Sequence, residues 1–531
     1  MEASCEALIR SGGHSSPHRH GVLVVLGFFI LGLSGAFSQA ERKRINLEYV
    51  EQLALEASQK PFAAGAGDSA LPPNLRGITY DRYRNIRFNP EREFWKKEGL
   101  PFGIALFHLG YLYTQPVTIH EFTADYSQPI RFSREFFDYK GADIEGALPA
   151  DLGYAGFRIS CPLNVPDRYD EIAAFQGTSY YRMLGKGQNY GMSARGLAID
   201  SGIDGVKEEF PVFTGFWLGK PQPGAASVTL FALLNSPSVA GAYQFVVQPG
   251  KNTVVDVQAT LFLRKAVTHL GIAPLTSMFW FGENTTKPFD DFRPEVHDSD
   301  GLVMKSEKGE CMWRPLQNDP SASRTYSFTF SNVRGFGLVQ RDRNLRNYED
   351  FEAHYETRPG VWVEPKGDWG SGTIRLVELA SKNEVSDNIV AAWEPATMPA
   401  PGQPFRLAYR QSWTLDGNPA GAGSSVLSTR MGVHESVPAQ RSVVLEFGGP
   451  SLERLAKEVV PEAVVTVAGQ DAVLAGHPRV ERYPGTPNWR VSFEIKRVKA
   501  EPSVKGTEVR CSLRVGNDYL SETWTSWLPL Q

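Results

Sequence analysis

Apolar and polar residues alternate along Tyr243-Gln-Phe-Val-Val247, Thr325-Tyr-Ser-Phe-Thr-Phe330 and Thr373-Ile-Arg-Leu-Val-Glu-Leu379. A period near two sets one face of a β-strand against a core and the other toward solvent. Clusters of Gly, Pro, Asn and Asp separate the runs, so turns recur often. Helical spacing occurs near the start, where Ile45, Leu47, Val50, Leu53 and Leu55 make Arg44 to Lys60 an amphipathic helix. Nearly everything later reads as strand, and many short strands with frequent turns predict an all-β fold built on a large antiparallel β-sandwich.

The pattern also divides the chain. Gly21 to Phe37 is a nearly unbroken apolar stretch preceded by Arg10, His18, Arg19 and His20 and closed by Ala36-Phe37-Ser38, which predicts a secretory signal peptide over residues 1–38. An uncleaved membrane anchor is the alternative. The Pro-rich segment Pro395 to Pro404 introduces a strand over Phe405 to Trp413, the last of a large domain spanning 39–415. A Gly/Ala/Ser-rich linker follows at 416–425. Strict alternation in Arg490 to Lys496 and Val509 to Val515 then predicts an immunoglobulin-like module over 426–531.

Composition narrows the function. The 531 residues are 42% hydrophobic and 21% charged, which excludes a disordered or fibrous chain. The net charge of -4 survives removal of the signal, since Arg10 and Arg19 leave with Glu2 and Glu6, and it offers no footprint for nucleic acid. Only Cys161, Cys311 and Cys511 remain, too few for a disulfide framework or a zinc site; buried thiols are expected. No H-E-x-x-H, G-x-S-x-G or Walker sequence occurs in the exported part. Gly185-Lys-Gly187-Gln-Asn-Tyr-Gly191 has the wrong last spacing for a dinucleotide loop, and a tight turn or a sugar-contacting loop is expected there.

What remains is carboxylates and aromatics. Five of the eleven Trp (Trp280, Trp313, Trp362, Trp369, Trp393) fall between residues 280 and 393, beside Glu384-Val-Ser-Asp387 and His297-Asp298-Ser299-Asp300-Gly301. Flat apolar rings with nearby acids suit sugars, although each ring taken singly belongs more often to a core. The 297–301 stretch reads as a turn or a loose calcium loop, or as the seat of a base at Asp298 or Asp300 working with an acid at Asp387. Glycoside cleavage needs two carboxyl groups in opposite protonation states.

Longer stretches carry a resemblance. Leu71 to Phe88, Gly191 to Asp200, Phe292 to Asp298 and Trp362 to Gly370, extended by Asp387-Asn-Ile-Val390 and Ser521-Glu-Thr-Trp524, resemble the periplasmic glucans biosynthesis protein family of the OpgG/OpgD (MdoG) type over nearly the whole exported chain. The resemblance implies a periplasmic protein with a galactose-mutarotase-like sandwich and an immunoglobulin-like domain. It implies work on the β-1,2-linked backbone of osmoregulated glucans, by inverting hydrolysis or transglycosylation. Neither cofactor nor metal is expected. By position, Asp387 resembles the general acid, Glu384 is its acidic neighbour, and Asp298 or Asp300 matches the region of the base. Asp300 points toward the OpgD type, whereas the separation of Arg10 from Arg19 departs from that type's twin-arginine signal.

Physically, Glu384 beside Asp387 in one cleft is expected to raise the proton affinity of Asp387 by like-charge repulsion. Tyr348, Asp350, Arg358, Trp362, Trp369 and Arg195 are the expected substrate contacts, with an internal salt bridge the alternative for Arg195. The rival function is a non-catalytic glucan-binding scaffold that guides chains to a membrane glucan synthase. Mutarotase-like epimerisation, with His297 as partner to a carboxylate, is a fold analogy only.

Overall fold

The computed structural model describes residues 44–63, 71–203, 205–287, 289–498 and 505–530. The signal segment expected at 1–38 lies outside them. Among the described residues no helix is long and apolar enough to cross a membrane.

The expected helix forms over Leu47–Ser58, started by Asn46, whose side chain accepts from the Tyr49 backbone N–H at 2.9 Å. Its buried residues Val50 and Ala54 pack with Trp217, Phe231, Ala242 and Phe262 on the outer face of a large sheet. That cover explains why the strand Val239–Gln248 is buried almost throughout: Val239, Tyr243, Phe245 and Val247 join the main core while Ala242 meets the helix.

Two large sheets enclose that core. One has ten strands and carries the site. Along its path Gly103–Phe107 is followed by Gly156–Pro162, Tyr169–Gln176, Tyr180–Met183, Ser193–Arg195, Leu270–Ser277, Ile389–Pro395, Gly372–Glu378 and Arg324–Phe330. The other has fifteen strands, with Thr253–Leu263 and Pro404–Thr414 at its centre, paired from Thr253 with Trp413 to Phe262 with Pro404. The strand predicted over Phe405 to Trp413 therefore sits mid-sheet. Most pairings are antiparallel, as expected, but Gly215–Gly219 runs parallel to Thr118–Phe122, and Met312-Trp313 parallel to Thr523-Trp524. The sheets are thus mixed. Alternation reports which face is buried and is blind to the direction of the neighbouring strand.

The chain after 425 forms a five-stranded sheet that includes Ser425–Val433, Gln440–Gly448 and Trp489–Arg497. A trio, Glu462–Val467, Gly506–Val515 and Thr523–Pro529, extends the fifteen-stranded sheet. In Trp489–Arg497 the buried positions alternate as expected. A second apolar cluster joins Val443, Phe447, Trp489 and Trp524 to Trp313, Val339 and Trp362 of the earlier strands. All three described cysteines are free and buried.

Candidate active site

Asp387 stands just ahead of the buried strand Ile389–Pro395, and Asn388 fixes it there. The buried Asn388 amide accepts from the Phe279 N–H at 2.9 Å, donates back to the Phe279 carbonyl at 2.9 Å, and also donates to Leu379 O at 3.2 Å. Phe279 pairs in turn with His297. One asparagine thus ties the segment before the strand to the one that carries Asp298. The ladder of Tyr181 with Ala194, Ala194 with Leu275, and Ser277 with Ile389 brings the strand holding Arg182 to the same end of the sheet.

There the side chains line a groove of about 510 Å³ whose walls include Tyr113, Gln115, Gln176, Tyr180 and Arg182. Asp387 is the one carboxylate among its lining residues. Its side chain is 37% exposed, and its ion-pair partner is Arg182, at 3.9 Å.

Behind the groove wall the acids are held differently. Asp298 is buried and receives the Arg358 Nη1–H at 2.5 Å. Burial raises the Asp298 pKa, Arg358 opposes the rise, and the nearby charge of Asp387 adds to it. Asp298 and Asp387 therefore lie within electrostatic reach of each other. Tyr180 likewise has its hydroxyl pKa raised, first by burial, with Arg195 opposing and both Glu208 and Asp387 contributing.

Glu384 is engaged by partners other than Asp387. Its carboxylate accepts from Arg293 Nη1 at 2.6 Å and from the Tyr355 hydroxyl at 3.1 Å, so its charge is compensated away from Asp387. Arg293 is a hub that also holds Asp291 at 2.9 Å and Asp350 at 3.0 Å. One guanidinium thereby gathers acids from three separate loops and sets the course of the chain from Glu384 to Asp387. Arg293→Met is expected to lower stability by about 2 kcal/mol, since it strands charge-assisted hydrogen bonds. It should also speed proteolytic nicking within residues 382–387; limited proteolysis at wild-type rates would reject the role.

Asp300 is separated from the groove. It lines a small recess with Glu283, Glu295, His297, Asp342 and residues Val426 to Thr429. Its Oδ2 accepts from the backbone N–H of Arg341 and, at 2.9 Å, of Asp342. Its Oδ1 lies 3.3 Å from His297 Nδ1. The His297 Nε2 is 2.8 Å from Glu295, and Nδ1 is 2.9 Å from the Gln340 side-chain oxygen. Among the described residues Glu295, His297 and Asp300 form the one group with ligand atoms close enough to hold a cation, all within 4.8 Å. Both imidazole nitrogens are, however, committed as hydrogen-bond donors in this arrangement.

Burial works against charge on His297, but the charges of Asp300 and Glu295 outweigh it and push the pKa up to about 9. Burial first, then Asp300 and Glu295, pushes Asp342 up to about 6. An unfolded histidine releases its proton near pH ~6.5, whereas the folded ring holds it up to about 9. The His297 contribution is therefore complete below pH ~6.5 and lost as the pH rises through about 9, a loss of roughly 3 kcal/mol. Denaturation midpoints measured across that range should fall in the wild type and flatten in His297→Gln.

Several expected substrate contacts are core residues instead. The Tyr348 ring is fully buried against His297 and Tyr355. Trp362 belongs to the second apolar cluster and closes over Gly335, where a Cβ would meet its indole at 2.2 Å. Trp369 packs on Trp393 and Tyr409 and donates its indole N–H to Ala408 O at 3.1 Å. None of these three rings presents a face to the groove. Arg195 is buried, donating to Glu208 at 2.6 Å and Thr276 at 2.8 Å; the internal ion pair is the reading that holds. Asp350 is engaged by Arg293 and by the Glu352 and Ala353 N–H groups, and Arg358 by Asp298 and the Ala353 carbonyl. Both are supports behind the site. Conversely, Tyr180 and Arg182 were not singled out from the sequence. Their signal was present: in Tyr180–Met183 they share the outward face while Tyr181 and Met183 point into the core.

A family profile described as "Periplasmic glucan biosynthesis protein, MdoG" matches residues 45–527. "Glucans biosynthesis protein G" of Ralstonia nicotianae is 43% identical over 509 residues, covering 94% of this chain and 99% of the relative. The protein of the same name from Bradyrhizobium diazoefficiens is 43% identical over 482 residues, covering 91% and 93%. That of Pseudomonas paraeruginosa is 41% identical over 475 residues, covering 87% and 89%.

Proposed function

The chain belongs to the MdoG family of periplasmic glucan biosynthesis proteins, and from that premise we propose that it binds a β-1,2-linked glucan in the Asp387 groove and cleaves or transfers its glycosidic bond. The protein is periplasmic and associated with glucan biosynthesis. The observation that carries the reading is that the groove's one lining carboxylate is 37% exposed and, among the described residues, has no close hydrogen-bonded partner that would hold its proton site. A carboxyl group so placed can reach a glycosidic oxygen and protonate it as the bond breaks.

For inverting chemistry a second carboxylate must take the proton of the attacking water, with acid and base roughly 6.5 to 9.5 Å apart when they act directly. Neither Asp298 nor Asp300 lines the groove. In this reading the base is one of the 298–300 acids acting through a relay, and Asp298 is the one on which the charge of Asp387 acts. In the same reading residues 39–415 form a mutarotase-like sandwich, 416–425 a linker and 426–531 an immunoglobulin-like module. The later strands pack against strands of the large sheet in the second apolar cluster, so the module in this reading shares its core with the sandwich.

The seclusion of Asp298 and Asp300 also favours a second reading, a glucan-binding scaffold that presents nascent chains to a membrane glucan synthase. Incubation with linear β-1,2-glucan separates the two. New reducing ends, shortened chains or cyclised products support the enzyme. Tight binding with unchanged chains across substrate lengths and pH supports the scaffold.

A further inference from the structure

A cavity of about 690 Å³ lies where the hairpin turn 305–311, the 421–423 segment and the last strands of the chain meet, and it shares no lining residue with the Asp387 groove. Its volume is that of a small-molecule site, roughly 300 to 1,000 Å³. Strand alternation builds one wall. In Gly506–Val515, Val509, Cys511 and Leu513 belong to the second apolar cluster, so Arg510 and Ser512 face the other way, paired with Thr466 and Val464 of the neighbouring strand. All four of these residues line the cavity. Ser512 is only 5% exposed, and its hydroxyl has no hydrogen-bond partner among the described residues. Buried hydroxyls are nearly always paired, so one left open toward a cavity points to something that enters it.

The charges around that hydroxyl do not balance. Glu310 is taken, because its Oε1 receives Arg510 Nη2–H at 2.5 Å and the Thr523 hydroxyl at 2.9 Å. Glu522 borders the cavity too, but Arg341 neutralises it at 2.6 Å. Lys305 donates to the neutral Ala420 carbonyl at 2.7 Å. Lys308 has no ion pair among the described residues, the adjacent Glu307 receiving the Ser331 hydroxyl at 2.6 Å. Two ammonium groups therefore stand on the wall without a countercharge, beside a guanidinium that spends one of its N–H donors on Glu310. A phosphate monoester carries a charge of about -1.5 to -2 near neutral pH and three acceptor oxygens, which answers both ammonium groups. A neutral sugar would answer neither, and a single carboxylate only one. The Cys311 thiol borders the cavity as well, but burial raises its pKa, so it stays protonated and is a poor metal ligand. The Tyr519 ring, 61% exposed, adds a flat face for the part of the molecule that bears the phosphate.

We propose that this cavity is a second ligand site, separate from the Asp387 groove, which takes a small phosphate-bearing molecule and holds its phosphate with Lys305, Lys308, Arg510 and the Ser512 hydroxyl. The two lysines come from the hairpin of the large sheet, Arg510 and Ser512 from a strand near the chain end, and the 421–423 segment supplies a further wall. A bound dianion therefore ties three separate segments together. Because only the folded arrangement brings these donors to one place, the ligand raises stability by mass action. The inference owes nothing to the identity of the substrate in the Asp387 groove.

The test is titration calorimetry and thermal melting of the exported protein in low-salt, phosphate-free buffer with inorganic phosphate, glucose 6-phosphate and glucose, repeated on Lys308→Ala, Ser512→Ala, Lys308→Ala/Arg510→Ala and Asp387→Asn. Phosphate should bind saturably, raise the melting midpoint as its concentration rises, and bind more weakly as salt is added. The double variant should bind about 10- to 100-fold more weakly, two charge-assisted contacts being lost, and Ser512→Ala severalfold more weakly. Lys308→Ala, at an exposed position, should also weaken binding severalfold and guards against a folding defect in the others. Asp387→Asn should bind as the wild type does. Tighter binding of glucose 6-phosphate than of phosphate assigns the site to a phosphate ester of a hydroxylated compound, and equal or weaker binding assigns it to free phosphate. Glucose bound as tightly as the phosphates, wild-type affinity in the folded double variant, or no saturable binding of either phosphate overturns the proposal and leaves the Asp387 groove untouched.

Discussion

Asp387→Asn is expected to lower turnover of linear β-1,2-glucan by about two to four orders of magnitude, the range a positioned general acid contributes. Asparagine keeps the size and the hydrogen-bonding reach of the side chain but has no proton to give to the departing oxygen. Stability should hardly change. The side chain is 37% exposed and its ion pair among the described residues is the long one to Arg182 at 3.9 Å, an arrangement worth about 0 to 1 kcal/mol. Glucan affinity should persist, because Tyr113, Tyr180 and Arg182 of the groove walls remain. Kinetics, thermal melting and glucan binding measured on one preparation therefore separate the roles. A variant that turns over at the wild-type rate removes Asp387 as the acid, and a variant that melts far lower makes its carboxylate structural.

The second large effect is on stability. Glu522→Ala should cost about 3 to 5 kcal/mol, because it leaves a buried guanidinium without its countercharge. Glu522 is fully buried and accepts from Arg341 Nη1 at 2.6 Å, Arg341 Nη2 at 3.0 Å and the Val426 N–H at 2.7 Å. Arg341 also donates to the carbonyls of Gly417 at 2.9 Å and Val426 at 2.6 Å, and lies 3.6 Å over the Trp313 ring. One ion pair thus joins the chain end, the 417–426 segment and the large sheet. Its backbone N–H reaches Asp300, so the loss should also loosen the recess around His297. Denaturant midpoints measure the first effect, and hydrogen exchange at Arg341 and Asp342 the second. A change below about 1 kcal/mol would show that water replaces the carboxylate there.

The elements were legible where the local pattern has one solution. The helix at Leu47–Ser58 and the strands Gly372–Glu378, Pro404–Thr414 and Trp489–Arg497 appear within a few residues of the positions their periodicity marks. Asp387 was legible through family resemblance, and the structure puts it on a groove. Trp362, Trp369 and Tyr348 were misread because an aromatic side chain has the same signature in a sequence whether its face meets a sugar or another ring. Glu384 was misread for a related reason. Three residues of separation say nothing about Arg293, ninety-one positions away, which claims the carboxylate.

Periodicity and composition by themselves marked an exported, β-rich chain and left its chemistry to the family resemblance, because burial of alternate side chains and the sum of charges are local or additive quantities. Which carboxylate faces solvent, which aromatic rings are buried and which guanidinium neutralises which acid were decided only by the tertiary structure. Those outcomes depend on contacts between segments a hundred or more residues apart, where a few ångströms separate an ion pair that cancels a charge from a groove that leaves it available.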